Sequence, residues 1–345
     1  MRNPMVWQVG AGDAERNYAE LCLRWGVILN GPGYDGPWPN RNGISPRKAQ
    51  DLQRFCERIQ DGDLVVLKVG KSEVYGVGHV RGDYEWNDHF GDVDGWDIQH
   101  LRRVDWVWQA SGGPKRFSGE PLKWGDTTQV LTSPDVLTWI ASLQLTPNSR
   151  ILPVLPQAKE SLIEVRPQEI SEFLFDNGVS AHSTDLLMEE IEKLIRIAKW
   201  YERSHTTPSE YETISYLVIP LFRALGWTPQ RMAVEWDRID VALFARMPRQ
   251  KDTLTAVVEA KQRNRACLTA RSQAFSYAQR IGFEGCQRLI VTDGIRYGVF
   301  QKLDGAFLER PTAYLNLTRM VEDYPVLGCA GVKQALYLMA ADWVR

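Results

Sequence analysis

The sequence contains a pair of apolar runs, RIDVALF at 238–244 and LTAVVEAK at 254–261, that predict part of a β-sheet. Both runs have strand length and are rich in β-branched residues, and a polar stretch separates them, so the pattern predicts two strands joined by a hairpin loop. Side chains two residues apart share one face of a strand. Glu259 and Lys261 are therefore expected to point the same way, beside Asp240 on the neighbouring strand.

Two carboxylates and an ammonium at one sheet edge suit the hydrolysis of a phosphodiester. The carboxylate oxygens of Asp240 and Glu259 are the ligands that Mg²⁺ or Mn²⁺ prefers. Such a cation polarises a phosphate and acidifies a water, and Lys261 can position that water or offset developing charge. The structural alternatives are an exposed ion pair for Glu259 and a turn position for Asp240.

The sequence after this pair continues the pattern. Gln273 and Tyr277 stand four residues apart, on one face of a predicted helix; packing of that helix on the sheet is the alternative role for both. The apolar runs LIVTDG at 289–294 and YGVF at 297–300 predict two more strands.

The order of these motifs, D…ExK…QxxxY, resembles the PD-(D/E)xK nuclease superfamily. Over 210–303 it resembles the N-terminal nuclease region of type I restriction enzyme R subunits. The resemblance implies an α/β restriction-endonuclease-like fold and Mg²⁺-dependent endodeoxyribonuclease activity. It also implies catalytic roles for six residues, with the first two as metal ligands: Asp240, Glu259, Lys261, Glu210, Gln273 and Tyr277.

Glu210 has two possible roles in the segment TPSEYET at 207–213. Thr207 as N-cap, Pro208 at the first helical position and Glu210 at the third fit a capping box. The alternative is that a helix brings an acid to the metal site, and either Glu210 or Glu212 can be that acid.

Basic residues are concentrated around the proposed site although the net charge of the chain is −2. From 231 to 280 there are ten Lys and Arg against five Asp and Glu. A charge run is usually a solvated face, but phosphates require such a surface. The residues predicted to contact the DNA backbone are Arg246, Arg249, Lys251, Arg263, Arg265 and Arg271.

The N-terminal half is rich in tryptophan, with eight of the 13 Trp in the first 124 residues. A helix is predicted over 45–60, followed by a hairpin of strands at 63–69 and 73–80 and a later strand at 100–108. Glycines within the second strand indicate curvature. These features predict a small β-barrel.

The early Trp7, the helix, the segment RGDY at 81–84 and RRVDW at 102–106 resemble PUA-like domains, particularly the EVE group. The resemblance covers 5–143 and implies an α+β reader domain for a modified base, including modified cytosine. A flipped base stacks on aromatic faces, although core packing is the alternative role for any one of these side chains. The residues predicted to bind it are Trp25, Trp38, Tyr84, Trp86 and Trp96.

A chain of 345 residues is expected to form two domains. We assign 1–145 to the reader domain, 146–183 to a Pro-rich linker and 184–345 to the nuclease domain. A long helix is predicted over 184–203, and the tail at 314–339 has apolar helical spacing.

Several classes of protein are disfavoured. The chain has no apolar run of membrane-spanning length and no secretory signal, and its five scattered Cys form no CxxC pair, so we expect a cytoplasmic protein without a zinc site. Gly70-Lys71-Ser72 lacks the rest of a P-loop, so no nucleotide cofactor is expected.

Together these patterns predict a modification-dependent restriction endonuclease, of use in defence against phage. We expect DNA carrying modified bases as the partner and a homodimer at least on DNA, since one catalytic domain cuts one strand. One alternative is a non-catalytic sensor that binds modified DNA or RNA through both domains. Another keeps the nuclease but makes the first domain an RNA reader.

Overall fold

The protein contains two compact units, residues 1–161 and 162–345. Both units mix helices with a β-sheet, which places the chain in the α+β class. The boundary falls inside the stretch 146–183 that the sequence assigns to a linker. The structure is a computed structural model that describes residues 4–13, 16–143, 151–157 and 163–344.

The first unit contains seven strands and three helices within its described residues. A π-helical turn, Arg54–Arg58, extends the second helix directly, so the helix predicted over 45–60 is confirmed. The elements are β1 (Val6–Gly10), α1 (Ala19–Trp25), β2 (Val27–Asn30), α2 (Pro46–Gln53), β3 (Leu64–Val69), β4 (Glu73–Trp86), β5 (His100–Gln109), β6 (Lys115–Arg116), β7 (Thr128–Val130) and α3 (Pro134–Ser142).

The sheet of the first unit is open. Its strand order is β2-β5-β4-β3-β1-β7, with β6 paired to β4 and with β1 and β3 parallel. The sheet curls far enough for the Asn30 side chain in β2 to donate to Thr128 Oγ1 in β7 at 3.1 Å. These edge strands have only four and three residues, and side chains rather than a backbone ladder join them. The predicted closed barrel is therefore wrong.

The second unit carries a nine-stranded mixed sheet. Its strand order is β15-β16-β14-β12-β11-β10-β9-β8, with β13 paired to β12. The elements are α4 (Pro167–Asp176), α5 (Ala181–Arg203), α6 (Glu210–Thr213), α7 (Ile219–Ala224), β8 (Met232–Trp236), β9 (Ile239–Phe244), β10 (Leu254–Ala260), α8 (Arg271–Ala278), β11 (Arg288–Thr292), β12 (Arg296–Leu303), β13 (Ala306–Phe307), β14 (Ala313–Asn316), β15 (Asp323–Tyr324), β16 (Cys329–Ala330) and α9 (Val332–Met339).

The two faces of this sheet differ in what covers them. Val241 in β9 and Val258 in β10 lie in a core built with α4, α5, α7 and α9. Because side chains alternate along a strand, Asp240 and Glu259 project from the opposite face. Helix α8 packs against β10 and β11 and buries Ala274 and Ala278.

Two segments differ from the sequence prediction. Helix α4 lies within the predicted linker and packs into the core of the second unit through Ile170 and Leu174. The tail at 314–339 is a helix only in α9; before it the chain forms three short strands that extend the sheet by pairing with β12 and with one another. In the described part of the chain, no helix has the length and apolarity needed to cross a membrane.

Candidate active site

The central hairpin of the second unit brings Asp240 and Glu259 to one end of the sheet. Strands β9 and β10 are antiparallel, with Val241 opposite Val258, so the next residue outward on each strand is an acid. The Asp240 Oδ2 accepts a hydrogen bond from the backbone N–H of Ala260 at 2.7 Å. This bond fixes the Asp240 carboxylate at the end of β10.

Glu259 is the most unusual side chain of this end of the sheet. It is 0% exposed, and neither carboxylate oxygen has a hydrogen-bond partner of normal geometry among the described residues. Burial, and then the negative charge of Asp240, raise the pKa of Glu259 to about 8; the nearby backbone N–H of Asp240 and the Lys261 ammonium oppose the rise. A buried carboxylate without partners is costly, so this side chain needs a proton or a cation.

Lys261 connects the acids to helix α8. Its backbone N–H donates to the Thr292 carbonyl at 2.7 Å, which continues the parallel pairing of β10 with β11. Its Nζ donates to Gln273 Oε1 at 3.0 Å, and Gln273 Nε2 donates to the Tyr277 hydroxyl at 3.3 Å. The two helical residues therefore orient the ammonium, whereas Ala274 and Ala278 are the side chains that α8 buries.

The structure separates the roles of Glu210 and Glu212. The N-cap of α6 is Ser209, not Thr207, and Glu212 completes its capping box: the backbone N–H of Ser209 donates to Glu212 Oε2 at 2.8 Å. Glu210 instead interacts with Lys261 and Asp240. Loss of hydration raises the pKa of Glu210, which Lys261 opposes. Asp240, Glu259 and Glu210 together are called the acid cluster.

Sequence reasoning missed Glu235 and Tyr211. Asp237 and Arg238 form a two-residue turn with positive φ at both positions, which places Glu235 across from Asp240. The negative charge of Glu235 and a hydrogen bond to it raise the pKa of the exposed Tyr211. A tight turn at Asp237-Arg238 is the signal in the sequence that would have placed Glu235 opposite Asp240.

Three of the predicted DNA contacts lie away from the acids. Arg246, Arg249 and Lys251 occupy the loop at the opposite end of the β9–β10 hairpin. With a rise of about 3.3 Å per residue, β10 separates them from Glu259 by roughly 17 Å. The structure therefore does not bring these cations to the acid cluster.

The other three predicted DNA contacts follow β10, at or near the end of the sheet that carries Asp240 and Glu259, and they differ in exposure and in ion pairing. Arg263 is 5% exposed and paired with Glu202, so it presents no free surface to a phosphate. Arg271 donates to the Leu308 carbonyl and pairs with Glu309, whereas Arg265 is exposed after β10.

Arg280 is a cation at this end that the sequence analysis did not single out. Its guanidinium stacks 4.1 Å from the Tyr277 ring and donates to the Asp237 carbonyl at 2.6 Å. Arg280 therefore ties α8 to the turn that precedes Asp240.

The donor set at this end fits a hard divalent cation. Asp240 and Glu259 offer carboxylate oxygens, and the orphaned Glu259 carboxylate is a group that a cation would satisfy. Among the described residues, no group of three or more His, Cys, Asp or Glu is arranged to enclose a metal. Water or substrate oxygens would therefore complete the coordination.

The first unit contains a cavity of about 360 Å³ beside β2. Tyr18 and Trp96 supply its aromatic wall, with their ring centroids 5.3 Å apart at an angle of 72°. The guanidinium of Arg16 lies 4.6 Å from the Trp96 ring. This volume lies at the lower end of the range of small-ligand sites, about 300–1,000 Å³.

A saturated polar network forms the floor of this cavity. The Lys48 ammonium donates to Asn30 Oδ1 at 2.8 Å, Asp51 Oδ2 at 2.7 Å and Thr127 Oγ1 at 3.2 Å. Asp51 is fully buried and also accepts from the backbone N–H of Thr128 at 2.9 Å. Such a network holds the cavity in one shape.

Of the five predicted base-binding aromatics, the structure places Trp96 in this cavity. The Tyr84 hydroxyl accepts from the Trp38 backbone N–H at 2.9 Å and donates to His100 Nδ1 at 2.7 Å, which anchors a loop. The indoles of Trp38 and Trp86 donate to Glu57 and to the Gly33 carbonyl. Trp25 lies beside Arg24, whose guanidinium is 5.6 Å from its ring. Tyr18, which sequence reasoning missed, carries no motif that marks it.

Comparison with known proteins gives one partial match. Residues 35–118 match a family model described as a domain of unknown function (DUF8426). The match lies in the first unit and spans about a quarter of the chain, including Lys48 and Trp96 of the cavity. No curated protein matches the chain.

Proposed function

We propose that this chain is a Mg²⁺-dependent endonuclease that cuts DNA carrying a modified base. In this proposal the second unit is a PD-(D/E)xK nuclease domain and the first is a reader related to the EVE group. The observation that carries it is the Glu259 carboxylate, which is buried without partners beside Asp240, Glu210 and Lys261. A purely structural role leaves that buried carboxylate unexplained.

In this proposal the acids and Lys261 have different roles in phosphodiester hydrolysis. Asp240 and Glu259 would hold the cation, with Glu210 approaching from α6. A bound Mg²⁺ supplies charge that polarises the phosphate and lowers the pKa of a water. The Lys261 ammonium, oriented by Gln273 and Tyr277, is aimed to place the attacking water or to balance charge on the phosphate.

The cavity of the first unit supplies selectivity in this proposal. A flipped base would stack against Trp96 and Tyr18 while the Lys48 network keeps the walls in place. Binding there raises the local concentration of the nuclease on marked DNA. The reader and the cutter are then separate units joined by one chain.

Each chain offers one acid cluster among its described residues, so we propose that two copies make a double-strand break. At low protein concentration a modified plasmid should be nicked, and linear product should rise with the square of protein concentration. Linear product that rises in direct proportion would contradict a dimer.

The decisive experiment compares three plasmids, unmodified, cytosine-modified and adenine-modified, incubated with the protein and Mg²⁺. We expect cleavage of one modified plasmid by wild type and of none by Glu259→Gln. Equal cleavage of all three would remove the reader from the proposal, and cleavage by the variant at the wild-type rate would remove the active site.

A further inference from the structure

Two consecutive side chains at the exit of β10 hold the connector between α5 and α6. Gln262 Nε2 donates to the carbonyl of the buried Pro208 at 2.9 Å. Arg263, itself buried, pairs with the carboxylate of Glu202 near the end of α5. The connector, residues 204–209, is thus gripped near both ends from the segment that follows Lys261.

This connector leads directly into α6, which carries Glu210. Helix α6 continues without a break through a π-helical stretch, Ile214–Val218, into α7, so Glu210 lies in the first turn of a longer helix. The end turns of a helix are the ones that fray. The capping box of this first turn and the bond from Thr213 Oγ1 to the Ser209 carbonyl at 2.9 Å are internal to the turn. The Gln262 bond, by contrast, joins the turn to the strand that ends in Glu259 and Lys261.

We infer that Gln262 and Arg263 are positioning residues that set Glu210 against the cation site. The Gln262–Pro208 hydrogen bond and the Arg263–Glu202 ion pair are together called the clamp. The inference rests on the proposed function, because it gives the clamp a role at the proposed cation site. Glu210 interacts with both Lys261 and Asp240, so the chain segment that supplies the Lys also aligns the helix acid. A displacement of about 1 Å is enough to spoil such a constellation.

The test is a calorimetric titration of the full-length protein with Mn²⁺, which needs no DNA and no turnover. Gln262→Met removes the amide donor at similar length and should raise the Mn²⁺ Kd about fivefold, the factor expected for one net hydrogen bond. Glu210→Gln should raise it at least as much. The double variant should match Glu210→Gln, because residues of one network are not additive.

A control variant removes a hydrogen bond elsewhere in the second unit, and a second variant tests the Arg263–Glu202 ion pair. Gln287→Met removes an equivalent bond, from its amide to the Gly285 carbonyl at 3.2 Å, and should leave the Kd unchanged. Glu202→Ala removes the exposed partner of the Arg263–Glu202 ion pair and should also weaken Mn²⁺ binding.

The outcomes separate the clamp from the proposed function. A wild type that binds no Mn²⁺ refutes the cation site and the clamp with it. If wild type binds and Glu210→Gln weakens binding while Gln262→Met and Glu202→Ala do not, the positioning role is wrong and the site stands. Effects of Gln262→Met and Glu210→Gln that multiply would show that Gln262 does not act through Glu210.

Discussion

Asp240 and Lys261 are held by different elements and meet at the end of β10, so each can be removed without dismantling the sheet. We expect Asp240→Ala and Lys261→Ala to lower the DNA cleavage rate at least about 100-fold, the scale of losing one charge-stabilising group. DNA affinity, measured by fluorescence anisotropy, should be largely retained. Asp252→Ala, an acid at the far end of the hairpin, is the control and should cut normally. Wild-type nicking by either site variant would eliminate the proposed chemistry.

Glu259 makes the metal-free protein sensitive to pH. Its folded pKa of about 8 exceeds its ordinary value of 4.5, so the folded chain binds this proton more tightly than the unfolded chain. Stability should therefore fall as pH rises from about 4.5 to 8, by roughly 2–5 kcal/mol, since one pKa unit is about 1.4 kcal/mol. Chemical denaturation of wild type and Glu259→Gln across this range measures the difference. Parallel pH profiles would show that Glu259 is not the titrating group.

The two acids of helix α6 should differ in function, because Glu212 caps the helix and Glu210 lies near Lys261 and Asp240. Glu212→Ala removes the capping box and should cost about 1 kcal/mol of stability, a fall in Tm of about 2–4 °C, with activity retained. Glu210→Ala should leave the Tm unchanged and lower the cleavage rate. Thermal melts and plasmid assays on both variants decide it, and the reverse assignment would make Glu212 the helix acid.

The elements show which parts of the fold the sequence can predict. The hairpin at 238–261 and the helix over 45–60 follow from local patterns, namely strand periodicity and helical apolar spacing, and the structure has both. The open edge of the first sheet and the strands at 313–330 depend on long-range pairing that local periodicity does not encode. For the same reason Glu235 and Tyr18 escaped notice, since only the fold brings them beside Asp240 and Trp96.

Mutations in the first unit should affect DNA recognition, and mutations in the second should affect cleavage. Trp96→Ala should weaken binding to a modified duplex about tenfold, because stacking one base is worth roughly 1–3 kcal/mol. Its salt dependence should hardly change, since few phosphate contacts are lost, and cleavage at saturating DNA should persist. Trp124→Ala, an exposed tryptophan outside the cavity, is the control. Equal affinity of wild type for modified and unmodified duplexes would remove the reader function.

The bond from the Ala260 backbone to Asp240 has a consequence for which ions the whole protein accepts. One oxygen of that carboxylate already accepts a hydrogen bond from the sheet, which favours binding of a cation through the other oxygen alone. Ca²⁺ favours six to eight ligands and bidentate carboxylates, whereas Mg²⁺ takes one oxygen from each and keeps its water. The backbone hydrogen bond to Asp240 should therefore favour the smaller Mg²⁺ over Ca²⁺. In a competition titration, Ca²⁺ should displace Mn²⁺ poorly, and efficient displacement would contradict this account.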